Sequence, residues 1–190
     1  MPITRPAFFD IMASFPSGVA IVTTVAPDGT PRGLTTTAVS SVSARPPTVL
    51  VCVDLGSRTL EALRARRRFV VNFVGRARSP LGLLFASKAD DKFERVTWRP
   101  TETGLPVLHE DSLAWAECCT VHDLEVGDHV ILVARVEDGG VQPELEPPLM
   151  YYRRSWGVWS PVHDAGEPDP VEIRAMEVSG RDLRWQGAEF

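Results

Sequence analysis

Val19-Ala20-Ile21-Val22-Thr23-Thr24-Val25, followed by Pro27-Asp28-Gly29 and then Thr30 to Leu34, is the stretch on which the fold turns. Its β-branched residues favour a strand, because two heavy atoms on Cβ suit a pleated surface better than a helix. Pro27-Asp28-Gly29 supplies turn chemistry, with the glycine free to take a positive φ. A strand, a tight turn and a returning segment make an antiparallel hairpin. Upstream, Phe8, Ile11, Met12 and Phe15 fall at i, i+3, i+4 and i+7, the stripe of a short amphipathic helix. Pro6 is tolerated near its start, and Pro16 with Gly18 ends it.

The same reading extends downstream. Thr48 to Val53 follows Pro46-Pro47 and reads as a strand buried on both faces. Ser57 or Thr59 caps a helix through Leu60 to Leu63. Phe69 to Val74 is a strand stopped by Gly75, and Leu81, Leu84 and Phe85 mark a second short helix. Leu113, Trp115, Glu117, Cys119 and Val121 alternate with Ala114, Ala116, Cys118 and Thr120, and Val130 to Val136 pairs back across Gly127-Asp128. Many strands with two or three short helices describe a mainly β chain, a closed or nearly closed antiparallel barrel. A doubly wound sheet is disfavoured, because strands do not alternate with long helices. After residue 160 the pattern gives way to acidic, proline-containing sequence with one short strand expected at Val171 to Val178. The expected division is therefore a domain at 1–160 and a C-terminal tail at 161–190.

Composition excludes several function classes. The 190 residues are 44% hydrophobic and 24% charged, an ordinary globular balance. A net charge of −5 gives no reason to expect nucleic acid or anionic lipid as partner. Lys88 and Lys92 are the only lysines, a skew that fits a GC-rich genome better than a binding role. No run approaches the ~18 apolar residues of a membrane span, and the N-terminus lacks the layout of a signal peptide. Cys52, Cys118 and Cys119 form neither a disulfide framework nor a zinc site, which points to a reducing cytoplasm. GxGxxG, GxxxxGK[ST], HExxH and a nucleophile elbow are all missing, so no metal is expected.

A series of short segments resembles one family. Phe15-Pro16-Ser17-Gly18-Val19-Ala20-Ile21-Val22-Thr23-Thr24 resembles the opening strand of the flavin reductase-like proteins, the small reductase components of two-component flavin monooxygenases. Arg32-Gly33-Leu34-Thr35-Thr36-Thr37-Ala38-Val39-Ser40-Ser41-Val42-Ser43 resembles their Gly-Met-Thr-x-Asn-[Ser/Ala]-Phe-x-Ser-Val-Ser flavin segment. The match continues through Pro46-Pro47, Val49 to Val53, Ser57-Arg58-Thr59, Phe69 to Asn72, Phe85-Ala86-Ser87, Lys92-Phe93 and Gly127-Asp128-His129. It closes with Pro148-Leu149-Met150-Tyr151-Tyr152-Arg153, in the family's order.

The resemblance implies a Greek-key split β-barrel, a homodimer, and hydride transfer from NADH or NADPH to FMN or FAD. It places Thr35, Thr36, Thr37, Ala38, Ser40 and Ser41 against the flavin ring. Asp54, Ser57, Arg58 and Thr59 fall in the phosphate site, joined, by the family's pattern, by Phe85, Ala86, Ser87, Lys92 and Phe93 across the dimer interface. His129 becomes the catalytic and cofactor-binding residue beside the nicotinamide, with Tyr152 and Arg153 near both rings. Taken alone, each piece has a plainer reading: a solvated Thr/Ser edge strand, a helix cap with a solvated Arg, an ordinary helix followed by a core Phe, a polar turn histidine and the end of a last strand. The chemistry asks for ring stacking within about 3.5 Å rather than acid–base residues, since the cofactors carry the hydride themselves.

Departures from the family pattern are Thr37 for Asn, Val39 for Phe, Arg154 for Gly and Trp156 for Tyr. The first shortens a ring contact. The expected activity is reduction of flavin for a separate monooxygenase. The alternatives are an enzyme that uses bound flavin directly on an organic substrate and a flavin-binding protein without turnover.

Overall fold

The hairpin at residues 20–36 forms as its sequence dictates, and the rest of the sheet grows from it. The structure, a computed structural model, describes residues 2–143 and 146–158; the strand expected at Val171 to Val178 lies outside them. In chain order the elements are α1 (Arg5–Ala13), β1 (Ser17–Gly18), β2 (Ala20–Val25), β3 (Pro31–Thr36), β4 (Val39–Ala44), β5 (Pro47–Asp54), α2 (Leu60–Arg66) and β6 (Arg68–Val74). They continue with α3 (Ser79–Ala86), β7 (Arg99–Pro100), β8 (Pro106–Val107), β9 (Ser112–Val126), β10 (His129–Val141), β11 (Leu149–Tyr152) and β12 (Ser155–Val158).

One antiparallel sheet runs β3-β2-β6-β9-β10-β5-β4. It curls round a core of Ala20, Val22, Val51, Val53, Phe69, Val71, Cys118, Val130 and Leu132, with Leu60 and Leu63 of α2 packed into the same cluster. Among the described residues the sheet is not closed by a ladder. Its edge strands β3 and β4 are unpaired with one another, and the Thr36 hydroxyl reaches Cys52 O across the gap at 3.5 Å. The second face of β2 is covered too: Ile21 packs with Leu81 and Phe85 of α3 and with Leu149.

Two segments differ from the expected pattern. The 48–53 strand alternates, with Val51 and Val53 in the core and Leu50 and Cys52 only half-buried on its outer face. A run of apolar residues cannot distinguish a doubly buried strand from one whose second apolar face is left to a partner. Helix α1 stops at Ala13, so Phe15 lies beyond it. None of its residues is buried, and Phe8, Ile11 and Met12 stay exposed.

Asn72 pins three elements together in the buried interior. Its amide donates to Ile21 O at 3.0 Å and Thr23 Oγ1 at 3.1 Å, and its carbonyl accepts from Leu108 N at 2.9 Å. Replacing Asn72 by Leu strands the Leu108 N–H without water to replace the bond, a cost of about 2–3 kcal/mol. Urea unfolding at pH 7 should show that loss; an unchanged midpoint would refute the role.

Candidate functional site

Gly33 decides where the cleft forms. A Cβ on Gly33 would sit 2.7 Å from the Phe85 ring, so only glycine lets α3 lie this close to β3. The contact is locked by the Thr35 hydroxyl, which donates to Gly82 O at 2.6 Å. Between this wall and the turn that ends β5 opens a cleft of about 270 Å³. Of the residues expected to bind cofactor, Thr35, Asp54, Ser57, Arg58, Thr59, Phe85, Ala86, Ser87, Lys92 and Phe93 all line it.

The opposite wall is a tightly wound turn. Asp54 Oδ1 accepts from Gly56 N at 2.6 Å, and Ser57 Oγ accepts from Thr59 N at 3.3 Å. Thr59 holds the N-cap position of α2 without a side-chain cap bond. Helix α2 is only seven residues long, so charge in the cleft comes chiefly from side chains. Arg58 donates through Nη1 to Asp90 Oδ1 at 2.7 Å and through Nη2 to the Lys88 carbonyl.

Lys92 forms the floor. Its ammonium donates to Phe85 O at 2.9 Å and Gly33 O at 3.3 Å and lies 5.8 Å from the Phe85 ring centre. Burial lowers its pKa to about 8, with the neighbouring Arg58 adding to the fall and Asp90 opposing it. Phe93 packs edge-on against Phe85 at 5.2 Å and so fixes the Lys92 backbone.

The remaining expected residues lie outside this cleft. Thr36 commits its hydroxyl to Ala38 N and Cys52 O, so Thr37 and Ala38 offer the bend between β3 and β4. Ser40 and Ser41 are exposed on the edge strand β4. His129 starts β10 directly opposite Asp54, a cleft residue, and its Nδ1–H donates to Asp128 Oδ1 at 2.7 Å. That bond, helped by the charges of His129 and Arg5, holds the Asp128 carboxyl below its usual range. Tyr152 and Arg153 lie at the β11–β12 hairpin beside the end of α1, where Arg153 N–H donates to Ala13 O at 2.8 Å.

The expected site residues did not include Gly33, although the resembling flavin segment contains it, nor Gly56, Lys88 and Asp90, which line the cleft with Pro31, Arg32, Leu34 and Ala89. Gly33 carries a readable signal, a glycine inside a strand, which marks close backbone approach. Asp90 carries none, since its partner Arg58 is 32 positions away.

A mainly β antiparallel sheet with a basic cleft between its edge strand and a short helix defines a class with solved members. The NADH:FAD oxidoreductase of Streptomyces globisporus C-1027, in complex with NAD and FAD fragments, superposes with a TM-score of 0.78 at 28% identity over 84% of this chain and 95% of that one. The chain belongs to the family described as flavin reductase like domain, whose model matches residues 12–160. It is 44% identical over 158 residues to a flavin reductase (NADH) of Kitasatospora aureofaciens, covering 83% of this chain and 82% of the relative. It is 39% identical over 164 residues to the reductase component of a 4-nitrophenol 4-monooxygenase/4-nitrocatechol 2-monooxygenase of Rhodococcus opacus, covering 86% of each.

The buried ammonium makes a pH signature. Below pH 8 Lys92 is charged in both folded and unfolded chains, so its desolvation cost is fully present. Between about 8 and the ordinary 10.5 the folded chain sheds the proton first, and stability gains as pH rises. The unfolding free energy of wild type minus that of Lys92→Met should therefore climb between pH 8 and pH 10. A difference flat with pH would show that the ammonium is not desolvated.

Proposed function

We propose that this chain is an NAD(P)H:flavin oxidoreductase that reduces FMN or FAD and supplies the reduced flavin to a separate monooxygenase. The observation that carries the reading is the convergence of Arg58, Lys92 and the Ser57 hydroxyl on one cleft walled by the main chain of β3. Two cations and a hydroxyl gathered in a molecule of net charge −5 suit a phosphate, and the glycine-lined wall suits a flat ring brought close to backbone. The relatives' names, a flavin reductase (NADH) and a monooxygenase reductase component, support the same activity. When both are bound, the nicotinamide passes a hydride to the flavin, chemistry intrinsic to the cofactors.

The chain's own residues bind and orient. Arg58 and Lys92 hold the flavin phosphate, with Ser57 and Thr59 beside it. Thr35 acts indirectly, since its buried hydroxyl sets the spacing between β3 and α3. The bend at Thr37 and Ala38, with Ser40 and Ser41 beyond it, meets the ring. His129 orients the nicotinamide nucleotide, its ring fixed by Asp128 through Nδ1 so that Nε2 is left for the ligand. Tyr152 and Arg153 complete that side of the site. The domain spans 1–160, with 161–190 as an appendage, a boundary supported by the end of the family match at residue 160. A cytoplasmic location is supported by the three free cysteines, and among the described residues no helix is long and apolar enough to cross a membrane.

The chain works as a C2 homodimer. Support comes from the exposed Phe8, Ile11 and Met12 of α1 and from the half-buried outer faces of Leu50 and Cys52, apolar surfaces that no other described residue of the protomer fully covers. Sedimentation at micromolar concentration should give twice the 20.9 kDa chain mass. A monomer that still binds flavin would sink the dimer.

Activity gives the direct test. Oxidation of NADH or NADPH should require FMN or FAD and proceed without a third substrate. Background rates with both nucleotides at saturating flavin would overturn the assignment and leave a flavin carrier or a flavoenzyme with its own organic substrate.

A further inference from the structure

We propose that Asp90 is a built-in competitor for the flavin phosphate, a carboxylate that occupies Arg58 and must be displaced for FMN or FAD to bind. The proposal rests on the reading that this cleft takes the flavin phosphate. Asp90 Oδ1 lies 2.7 Å from Arg58 Nη1, and both residues line the cleft. A carboxylate and a phosphate offer the same oxygen acceptors to a guanidinium, so one can stand in for the other. The position of Asp90 is templated by its neighbours. Ser87 donates to Leu84 O at 2.7 Å and accepts from Ala89 N at 3.2 Å, fixing the start of the segment, while Lys92 anchors its end on Gly33 and Phe85.

Exposure makes the pair displaceable. The side chains of Arg58 and Asp90 are 55% and 78% exposed, and ion pairs in water of this kind are weak and screened by salt. A bound phosphate therefore takes Arg58 at small cost, but that cost is subtracted from its affinity. The displaced carboxylate also stays tethered nearby, ready to reclaim Arg58 and repelling the phosphate that replaced it. For a reductase that hands flavin on, the consequence is faster release, because such affinity changes fall mainly on the off-rate.

The test is a titration of wild type, Asp90→Asn, Arg58→Ala and the double variant with FMN, FAD and riboflavin, which lacks the phosphate. Asp90→Asn should bind FMN and FAD about 3- to 10-fold more tightly, with a gain that shrinks at about 0.5 M salt. Riboflavin should be unchanged, and the gain should largely vanish in the Arg58→Ala background. Unchanged or weaker FMN binding by Asp90→Asn, with Arg58→Ala still losing FMN selectively, would overturn the competitor and leave the phosphate site standing, with Asp90 a prop for Arg58. A gain that persists fully without Arg58 would also overturn it, since the carboxylate would then act on the phosphate directly. Equal losses of FMN and riboflavin in Arg58→Ala would bring down the phosphate site, and the competitor with it.

Discussion

The contact between Gly33 and the Phe85 ring is the constraint on which the site depends. A side chain at position 33 would push α3 off β3 by more than a buried, fully packed Phe can absorb. Because α3 lies this close, the carbonyls of Gly33 and Phe85 converge on one point, and Lys92 fills it. The two carbonyls satisfy the ammonium without neutralising it, which is why the charge survives at the floor of the cleft while burial still lowers its pKa. One missing methyl group thus sets backbone spacing, cleft depth and the sign of the field inside it.

The cleft is built from segments far apart in the chain, and each brings a different element of rigidity. β3 supplies main chain with its hydroxyls turned to internal bonds at Thr35 and Thr36. The β5–α2 turn is wound by Asp54 and Ser57, which hold backbone amides and so fix the direction of Arg58. The segment from Ser87 to Lys92 closes the third side. Phe93, set edge-on between Phe85 and Trp98, keeps that segment from sliding along α3. Asp54, Thr35 and Ser57 are bound into the scaffold, as expected where positioning rather than acid–base chemistry is required.

Legibility in the sequence followed the range of the interaction. The β2–β3 and β9–β10 hairpins were readable because β-branching, alternation and turn glycines act within a few residues; Gly29 and Gly127 indeed sit at φ +84° and +62°. Short helices at 60–66 and 79–86 were readable for the same reason. The order of strands was not, since the placing of β5 beside β10 and the open seam between β3 and β4 depend on contacts across most of the chain. Within the site, Ser57-Arg58-Thr59 and Lys92-Phe93 were singled out through resemblance, whereas the Arg58–Asp90 pair joins two segments that no local pattern links. Thr35 lines the cleft, but its hydroxyl is committed to Gly82 O, and that commitment cannot be judged before the covering helix is placed.

The departures from the family pattern at the closing hairpin are explained by the same logic. Tyr151 pairs with Trp156 and Tyr152 with Ser155, so Arg153 and Arg154 form a two-residue turn, with φ of 47° and 63°. That geometry favours glycine, and a non-glycine residue in it costs about 1 kcal/mol. The same turn is tied to α1: the Arg153 main-chain N–H donates to Ala13 O, the exposed Arg154 pairs with Asp10 at 3.1 Å, and the Arg153 guanidinium lies over the Tyr152 ring. Trp156 meanwhile packs over Gly82, where a Cβ would come within 3.1 Å of the indole, and sits edge-on to Tyr151. Helix α1 buries no residue of its own, so polar ties at its C-terminal end do what a packed face does elsewhere. They fasten α1 to the protomer while leaving its apolar stripe turned outward, the arrangement a helix needs if it is to meet a second copy of the chain.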